Sequence, residues 1–241
     1  MKYFFSFILF FSLLSCKSSL VNYALEKKGI YDDKITINKF NRDNSEVCFF
    51  EMAHVGTDLF YKDLKLKIDS LEKSGFYFYY ELIKKSNSSD SINRKFIKLT
   101  KIPFQKDGYM GSLDSIFKKE KIKLKKNLIS QPEYSLLGLS NENSANVDLS
   151  LAEIINYYEK KYQLIILEPC DFEVSVYESP KCPLDLTKDI RDDVILNSRN
   201  EEVLRQISIE KRKKIAIIFG KGHYEGIKEG LLKIGYNEVI E

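Results

Sequence analysis

The sequence contains one strand–turn–helix pattern twice, and this repeat constrains the fold more than any other feature. In the second copy, Lys214 to Phe219 (KIAIIF) is a continuous apolar run typical of a buried strand. A turn that ends in His223 follows, and a helix is predicted over Gly226 to Ile234, with Gly235 as its C-terminal cap. A closing strand is predicted over Asn237 to Ile240, so this copy predicts a β-α-β unit.

The first copy has the same order of elements. Glu46 to Met52 (EVCFFEM) predicts a buried strand, and His54 lies in the turn that follows it. The helical pattern after this turn ends near Gly75, as a C-terminal glycine cap requires. Another strand is predicted over Tyr77 to Tyr80, and it leads directly into Glu81.

Two β-α-β units predict an α/β fold with a mostly parallel or mixed central sheet and flanking helices. Each unit carries a histidine, His54 or His223, at the turn from a strand to a helix. In open parallel sheets, ligands bind at this edge. If the two units share a sheet, we expect the two histidines to converge there.

The N-terminus predicts export and a lipid anchor. Residues 1–16 read MKYFFSFILFFSLLSC, in which a basic start precedes an apolar run that is too short to span a bilayer as a helix. Leu13 to Cys16 (LLSC) resembles the bacterial lipobox, although an ordinary cleaved signal that happens to contain a cysteine would look similar. We therefore interpret Cys16 as the lipidation site, where acyl chains would attach the protein to a membrane.

These features give the expected domain organisation and location. Residues 1–15 are predicted to be a lipoprotein signal peptide, residues 16–45 a tether and N-terminal segment, and residues 46–241 an α/β domain. The expected location is the bacterial cell envelope, with the protein facing the periplasm or the outside. The sequence does not indicate which membrane leaflet carries the tether.

The charge balance argues against nucleic acid as a partner. The chain has 38 Lys and Arg against 35 Asp and Glu, a formal net charge of +3, which gives no electrostatic footprint for a phosphate backbone. Lys118 to Lys126 (KKEKIKLKK) is a local basic run. We expect a solvated face there, and contact with anionic lipid near the tether is the alternative.

Three cysteines remain besides Cys16. Cys48 lies in an apolar run and is predicted to be a buried small residue, whereas Cys170 and Cys182 flank a loop and either pair or stay free. Their spacing does not match a zinc–thiolate site. Leu164 to Leu167 (LIIL), after a helix predicted over Leu149 to Tyr162, predicts another buried strand. Two aspartates, Asp148 and Asp171, are further candidates to face a cleft, on spacing alone.

Three segments around the histidines carry a family resemblance. Gly220 to His223 (GKGH) is a G-x-x-H motif, and Glu51 to His54 (EMAH) matches a second such motif, with glutamate where glycine is usual. Ser198 to Ile207 resembles an arginine-bearing segment before the second motif, and Glu81 matches a glutamate after the first. Together these segments resemble the TraB/PrgY/GumN family, which includes the Tiki proteins. The likeness extends from about Val47 to Tyr236.

The resemblance implies an α/β fold related to the erythromycin-esterase and ChaN-type proteins, with both histidines in one cleft. In Tiki members such a cleft supports divalent-metal-dependent peptide hydrolysis. We therefore expect a divalent ion, with Mn, Co or Zn as candidates, held by His54, His223 and Glu81. The ion would lower the pKa of a bound water and polarise a carbonyl group.

The remaining candidate residues have more than one expected role. Arg199 would bind a substrate carboxylate or stabilise an oxyanion, and Glu81 would act as a general base if it is not a ligand. Gly220 and Gly222 are expected on the substrate side of the cleft, together with Arg199. Glu51 is also predicted to contact the substrate there, and it either adds a ligand or crowds the site.

The sequence leaves three functional hypotheses. The first is a lipid-anchored, divalent-metal-dependent hydrolase, with peptide hydrolysis as an expected activity and Glu81 and Arg199 as its catalytic groups. The second is a non-catalytic envelope lipoprotein that binds a ligand or a peptide in the same cleft. The third is a structural lipoprotein that keeps the fold without a working site.

Overall fold

A computed structural model describes residues 17–83, 89–104 and 116–240. The predicted signal peptide, residues 1–15, and the predicted lipidation site, Cys16, lie outside the described residues. The chain divides into two compact units, which we describe separately. Within the described residues, unit 1 comprises 17–35, 53–69 and 116–138, and unit 2 comprises 36–52, 70–83, 89–104 and 139–240.

Helices and strands are interspersed along the described chain. In chain order they are α1 (residues 17–27), β1 (Ile37–Arg42), β2 (Ser45–Met52), β3 (Val55–Gly56), α2 (Asp58–Lys73), β4 (Tyr77–Tyr80), α3 (Asp90–Thr100), α4 (residues 116–119), β5 (Ile129–Ser130), β6 (Ser144–Asn146), α5 (Leu151–Lys161), α6 (Lys188–Asp192), α7 (Ser198–Ile209), β7 (Lys214–Gly220), α8 (Tyr224–Lys233) and β8 (Asn237–Val239). Short 3-10 turns cover Pro169–Phe172 and Lys221–His223, and a π-helical turn covers Asp193–Asn197.

Unit 1 is small. Its two-stranded sheet pairs β3 with β5, and its apolar core contains Tyr31, Val55 and Leu128. The basic run borders α1, because the backbone N–H of Lys123 donates to Ser18 Oγ at 3.1 Å. Lysine side chains in the run are exposed, in agreement with a solvated face; they are Lys118, Lys119, Lys121, Lys123 and Lys125.

Unit 2 is built on a six-stranded sheet in the order β6-β4-β7-β2-β1-β8. β6, β4, β7 and β2 are parallel neighbours, while β1 runs antiparallel to both β2 and β8. Helices flank this mixed sheet, so the predicted α/β fold class is confirmed.

One face of the sheet packs against α7 and α8. Residues of β2, β4 and β7 share an apolar cluster with Val203 and Ile207 of α7 and with Ile227 and Leu231 of α8. A second apolar cluster joins α3 to α5, with Leu99 and Ile154 among its most buried members. Burial of these side chains supplies the main stabilising free energy of the unit.

The two predicted glycine caps are present. Gly75 follows α2 with φ +84°, and Gly235 follows α8 with φ +92°. Only glycine adopts this left-handed conformation without strain, so the same residue type ends both helices.

The strand predicted over Leu164 to Leu167 is wrong. This segment has no regular secondary structure and pairs with no strand in the described chain, and Leu164 and Ile166 are each 72% exposed. Only Ile165 is buried, in the cluster of α3 and α5. Of the four apolar residues in this loop, Ile165 alone therefore anchors it to the core.

The three described cysteines form one disulfide and leave one free thiol. Cys170 and Cys182 form a disulfide with their Cα atoms 6.2 Å apart. Cys48 is buried in β2 as a free thiol, and burial raises its pKa to about 12. Among the described helices, none combines the length and the apolar character that a membrane crossing needs.

Candidate functional site

Three neighbouring parallel strands of unit 2 bring polar residues to one edge of the sheet. Glu81 directly follows β4, Asp148 lies just beyond β6, and His223 ends the 3-10 turn beyond β7. Because the three strands run in the same direction, their carboxyl ends meet at this edge. Arg199 reaches the same place from the first turn of α7, directly after the π-helical turn.

Strand alternation explains why these side chains meet. Tyr79 of β4 is in register with Ile217 of β7, and both belong to the apolar cluster beneath α7 and α8. Side chains two residues apart on a strand point to the same face. Glu81 and Phe219, each two residues further on, therefore face the same helices as Tyr79 and Ile217.

Arg199 joins two carboxylates in the interior. Its Nε and Nη2 donate to Asp148 Oδ1 and Oδ2 at 2.7 and 2.6 Å, and Nη2 also donates to Glu81 Oε1 at 2.6 Å. The forked pair with Asp148 is the arrangement that a guanidinium group forms best. Arg199, Asp148 and Glu81 are all buried, with exposed fractions of 4%, 1% and 9%.

Arg199 keeps its positive charge although its side chain is buried. Burial lowers its pKa, but the hydrogen bonds that Arg199 donates to Asp148 and the negative charges of Glu81 and Asp148 outweigh this, and the pKa rises above its ordinary value. The guanidinium group is therefore a permanent cation in the interior of unit 2.

The contacts of His223 fix its tautomer. Arg199 Nη1 lies 3.2 Å from His223 Nε2, and a guanidinium group has no acceptor atom, so Nε2 accepts this hydrogen bond. The ring proton is then on Nδ1, which donates to Asn200 Oδ1 at 2.7 Å. In this arrangement His223 is a neutral imidazole whose lone pair faces Arg199. We call Glu81, Asp148, Arg199, Asn200 and His223 the arginine cluster.

The predicted glycines of the second motif differ in their roles. The N–H of Gly220 donates to Glu81 Oε2 at 2.5 Å, and a Cβ at Gly220 would lie 3.1 Å from that oxygen. Glycine at this position therefore lets the carboxylate approach the end of β7 closely. A Cβ at Gly222 would meet Leu196 at an ordinary contact distance of 3.8 Å, so packing does not require glycine there.

Close packing of α7 on α8 holds Asn200 in place. A Cβ at Gly226 would overlap Asn200 Nδ2, and a Cβ at Gly230 would overlap Leu204. The two glycines therefore let α7 approach α8 closely enough for Asn200 to reach the ring of His223.

Glu51 takes part in a separate set of contacts at the end of β2. Its Oε2 pairs with Lys221 Nζ at 2.9 Å, and its Oε1 accepts from Asn38 Nδ2 at 3.0 Å. Both carboxylate oxygens thus have partners outside the arginine cluster, and Lys221 neutralises the charge that glutamate introduces in place of the usual glycine.

His54 belongs to unit 1, where it lies between β2 and β3 and is half-buried. Its Nδ1 lies 3.0 Å from Gln131 Oε1, and its backbone oxygen accepts from the N–H of Gln131 at 2.9 Å. These contacts tie the first motif to β5. The structure thus brings together Glu81, Arg199, Gly220 and His223 within unit 2, while His54 is positioned by unit 1.

The fit of a divalent ion can be tested within unit 2. His223 Nε2 and Glu81 Oε1 are 3.6 Å apart, close to the roughly 3.4 Å that separates two ligands of one tetrahedral ion. However, Arg199 contacts both atoms, Nη2 at 2.6 Å from Oε1 and Nη1 at 3.2 Å from Nε2. A guanidinium group therefore bridges the two atoms that would face the ion, and this part of the predicted metal site does not fit an ion as it is folded.

The described residues also contain a group of metal-ligand type at the disulfide. Ligand atoms of Glu168, Cys170 and Cys182 lie within 4.8 Å of one another. The two cysteines are bonded to each other, so their thiolates cannot serve as ligands. This group does not support a metal centre.

The sequence gives little indication of two residues of the arginine cluster. Asp148 is a candidate on spacing alone, and Asn200 is marked only as the residue after Arg199 in the arginine-bearing segment. The strand that positions Asp148 is three residues long, β6 (Ser144–Asn146), which is too short for a clear alternation pattern. The pair Arg199-Asn200 was the one signal that could have identified Asn200.

The fold and this site define an α/β protein with a buried, arginine-centred polar cluster at the carboxyl edge of its sheet. No family model, curated protein or solved structure matches the chain. The resemblance to the TraB/PrgY/GumN family therefore remains a prediction that depends on the motifs.

Proposed function

We propose that the chain is a lipid-anchored envelope protein and that the arginine cluster is a site of hydrolysis. The observation that carries this proposal is the burial of three charged side chains and one imidazole at the carboxyl edge of parallel strands. Apolar side chains of similar size would fill this interior without the free-energy cost of removing charged groups from water. Ionisable groups gathered at a ligand-binding edge therefore favour chemistry over packing.

The proposed reaction uses the lone pair of His223 as a general base. A water that replaces Arg199 Nη1 at Nε2 would lose a proton to the ring and attack a carbonyl carbon of the substrate. Arg199, still paired with Asp148, would stabilise the oxyanion that forms. The proton on Nε2 would then pass to the leaving group, while Asn200 keeps the ring in its orientation.

In this scheme the carboxylates of Glu81 and Asp148 orient and stabilise the reacting side chains of Arg199 and His223. Both carboxylates hold Arg199, and Glu81 Oε1, which lies 3.6 Å from Nε2, would stabilise the imidazolium form of His223. No step is assigned to the divalent ion that the family resemblance implies, because Arg199 bridges Glu81 Oε1 and His223 Nε2 and unit 2 does not fit an ion as folded. Peptides remain the expected substrates.

The membrane attachment rests on the lipobox. Acylation of Cys16 would place the protein at the envelope membrane, with Lys17 as the first residue after the anchor. We expect metabolic labelling with a palmitate analogue to modify the wild type and to leave a Cys16→Ser variant unlabelled. Equal labelling of both proteins would contradict acylation at Cys16 and would leave the proposal for the arginine cluster unaffected.

A specific observation favours the second candidate, a non-catalytic binding protein. The hydrogen-bonding atoms of the cluster already contact one another. Arg199 donates to both carboxylates and to His223 Nε2, and Asn200 accepts from His223 Nδ1. A cluster that satisfies itself in this way could simply maintain a binding surface in a fixed shape.

The experiment that separates these candidates is a peptide-library digest followed by mass spectrometry. The full-length chain in detergent is compared with His223→Ala and Glu81→Gln, and with Arg205→Ala, a change on the exposed face of α7 where Arg205 pairs with Glu202. We expect new products from the wild type and from Arg205→Ala, and at least a hundredfold fewer from His223→Ala.

Two other outcomes would contradict hydrolysis at the arginine cluster. Peptides that are retained without cleavage by the wild type would favour the binding protein. Cleavage that persists in His223→Ala at the wild-type rate would show that the arginine cluster is not the site.

A further inference from the structure

We infer that Arg199 is the built-in cation of the arginine cluster and takes the place of a divalent ion. Removal of its side chain should turn Glu81, Asp148 and His223 into a divalent-cation site. This inference concerns the cluster itself and does not depend on hydrolysis.

The guanidinium group makes the contacts that an ion would make. It binds oxygens of two carboxylates and the lone pair of one imidazole, at distances between 2.6 and 3.2 Å. With His223 neutral, the two carboxylates alone would give the cluster a charge of −2. The interior therefore needs a cation, and Arg199 supplies one, which leaves a net charge of −1.

An ion is excluded while Arg199 is present for two reasons. The side chain fills the space between Glu81 Oε1 and His223 Nε2, and its positive charge repels a second cation at short range. The pKa of Arg199 is raised by the hydrogen bonds and charges of its carboxylate partners, so it does not become neutral to make room.

The three candidate ligands would remain oriented without Arg199, because each is also held by another contact. Glu81 Oε2 accepts from the N–H of Gly220 at 2.5 Å, and Asp148 Oδ1 accepts from the N–H of Leu149 at 2.8 Å. His223 Nδ1 donates to Asn200, which leaves Nε2 as the ligand atom. Such outer contacts fix the direction of ligand atoms in metal sites.

The ligand set selects a class of ion. Two carboxylate oxygens and one imidazole nitrogen, without sulfur, suit Mn²⁺, Co²⁺ or Zn²⁺. Removal of the guanidinium also makes the cluster more negative by one charge, which strengthens the attraction for a divalent ion.

The test compares metal content and thermal unfolding of the full-length chain in detergent, after dialysis against each metal chloride. We expect wild type and Arg205→Ala to retain less than about a tenth of an equivalent and to keep their unfolding midpoint. Arg199→Ala should unfold at a lower temperature without metal, retain about one equivalent, and gain about 5–10 °C at metal concentrations a hundredfold above Kd.

Two further variants identify the ligands and guard against misfolding. Arg199→Ala combined with His223→Ala should lose the bound metal. Arg199→Met combined with Asp148→Asn keeps the wild-type net charge and should still bind an ion, more weakly, through Glu81 and His223. This variant remains informative if Arg199→Ala cannot be purified.

Several results would overturn the inference. One equivalent of metal in the wild type that disappears in His223→Ala or His54→Ala would mean that an ion and Arg199 coexist. A folded Arg199→Ala protein without metal affinity would mean that the guanidinium does not occupy an ion position. Neither result depends on finding a substrate, so failure here and failure of the hydrolase proposal are separable.

Discussion

The two units handle their charged side chains in different ways. In unit 1 the ion pairs lie at the surface, as in Lys126–Asp33, whose side chains are 38% and 43% exposed. In unit 2 the pair Arg199–Asp148 is 5% and 0% exposed. Water screens the first kind of pair, whereas the second kind has lost its hydration and depends on its partners. The comparison indicates that the buried charges of unit 2 determine geometry, whereas the exposed pairs of unit 1 mainly serve solubility.

The two histidines show the same contrast. His54 and His223 each come shortly after a buried strand, β2 and β7, but the short strand β3 separates His54 from α2, whereas α8 directly follows His223. His54 is half-buried beside the amide of Gln131, while His223 is buried among charged groups. Position after a strand therefore does not define the environment of a histidine, because the neighbouring strands and helices supply it.

The largest expected effect is on Arg199→Ala. This change leaves the buried carboxylates of Glu81 and Asp148 without their cation, which typically costs 3–5 kcal/mol of unfolding free energy. Hydrogen exchange of β7 amides in urea, with a chelator present, reports the stability of unit 2 directly. Arg205→Ala on the same helix should change it by less than about 0.5 kcal/mol. A loss for Arg199→Ala below about 1 kcal/mol would remove the contrast between the units.

A somewhat smaller loss is expected for Lys98→Met. Lys98 lies in α3, and its Nζ pairs with Asp171 Oδ2 at 2.7 Å, with both side chains buried. Loss of one cation from one buried carboxylate should lower the unfolding free energy by about 3 kcal/mol. The same exchange measurement, now on α3 amides, tests this.

A double variant provides the control for Lys98. Lys98→Met with Asp171→Asn removes the unpaired charge, so it should recover part of the lost stability. If the double variant is less stable than Lys98→Met alone, the two residues stabilise unit 2 independently of each other.

The fold was largely predictable because local pattern and tertiary environment agree in the repeated units. Strands β2, β4 and β7 are apolar runs bounded by turns, and the sheet buries them as that pattern implies. The segment Leu164 to Leu167 has a similar composition but lacks a strand partner in the described chain. Apolar runs therefore predict burial only when the rest of the chain supplies a surface for both faces.

The candidate site was less predictable because strand order brings its members together. Glu81 and Asp148 meet through the pairing of β4 with β6, and 67 residues separate them along the chain. No local pattern encodes this pairing. The π-helical turn before Arg199 is likewise absent from any simple periodicity, although such turns are frequent at functional sites. The convergence of His54 with His223 stays a prediction from the sequence.

A moderate effect is expected from pH. Burial raises the pKa of Glu210, but hydrogen bonds from Tyr79 and from the backbone and side chain of Arg212 lower it more, so the net pKa is below the ordinary 4.5. A lowered pKa stabilises the fold fully above the ordinary value, and this contribution disappears as the pH falls through the folded-state pKa. Glu210→Gln should therefore weaken the acid dependence of unit 2 stability, by about 1 kcal/mol.

The control for Glu210 comes from unit 1. Asp33 also has a lowered pKa, mainly through its hydrogen bond with Lys126, but its carboxylate is exposed. Unfolding curves between pH 3 and 7 should show a smaller change for Asp33→Asn than for Glu210→Gln, since water screens the exposed group. An equal or larger change for Asp33→Asn would contradict the difference between the units.

The smallest effect is expected for Lys126→Ala in unit 1. Its Nζ pairs with Asp33 Oδ2 at 2.8 Å, but both groups keep much of their hydration. The loss of unfolding free energy should stay below about 1 kcal/mol, and the coupling energy with Asp33→Ala in a double-mutant cycle should be equally small. Added salt should reduce that coupling further, because exposed charges are screened within about 10 Å at 0.1 M ionic strength. A salt-independent coupling above about 2 kcal/mol would place this pair with the buried pairs of unit 2, and exposure would then no longer distinguish the two units.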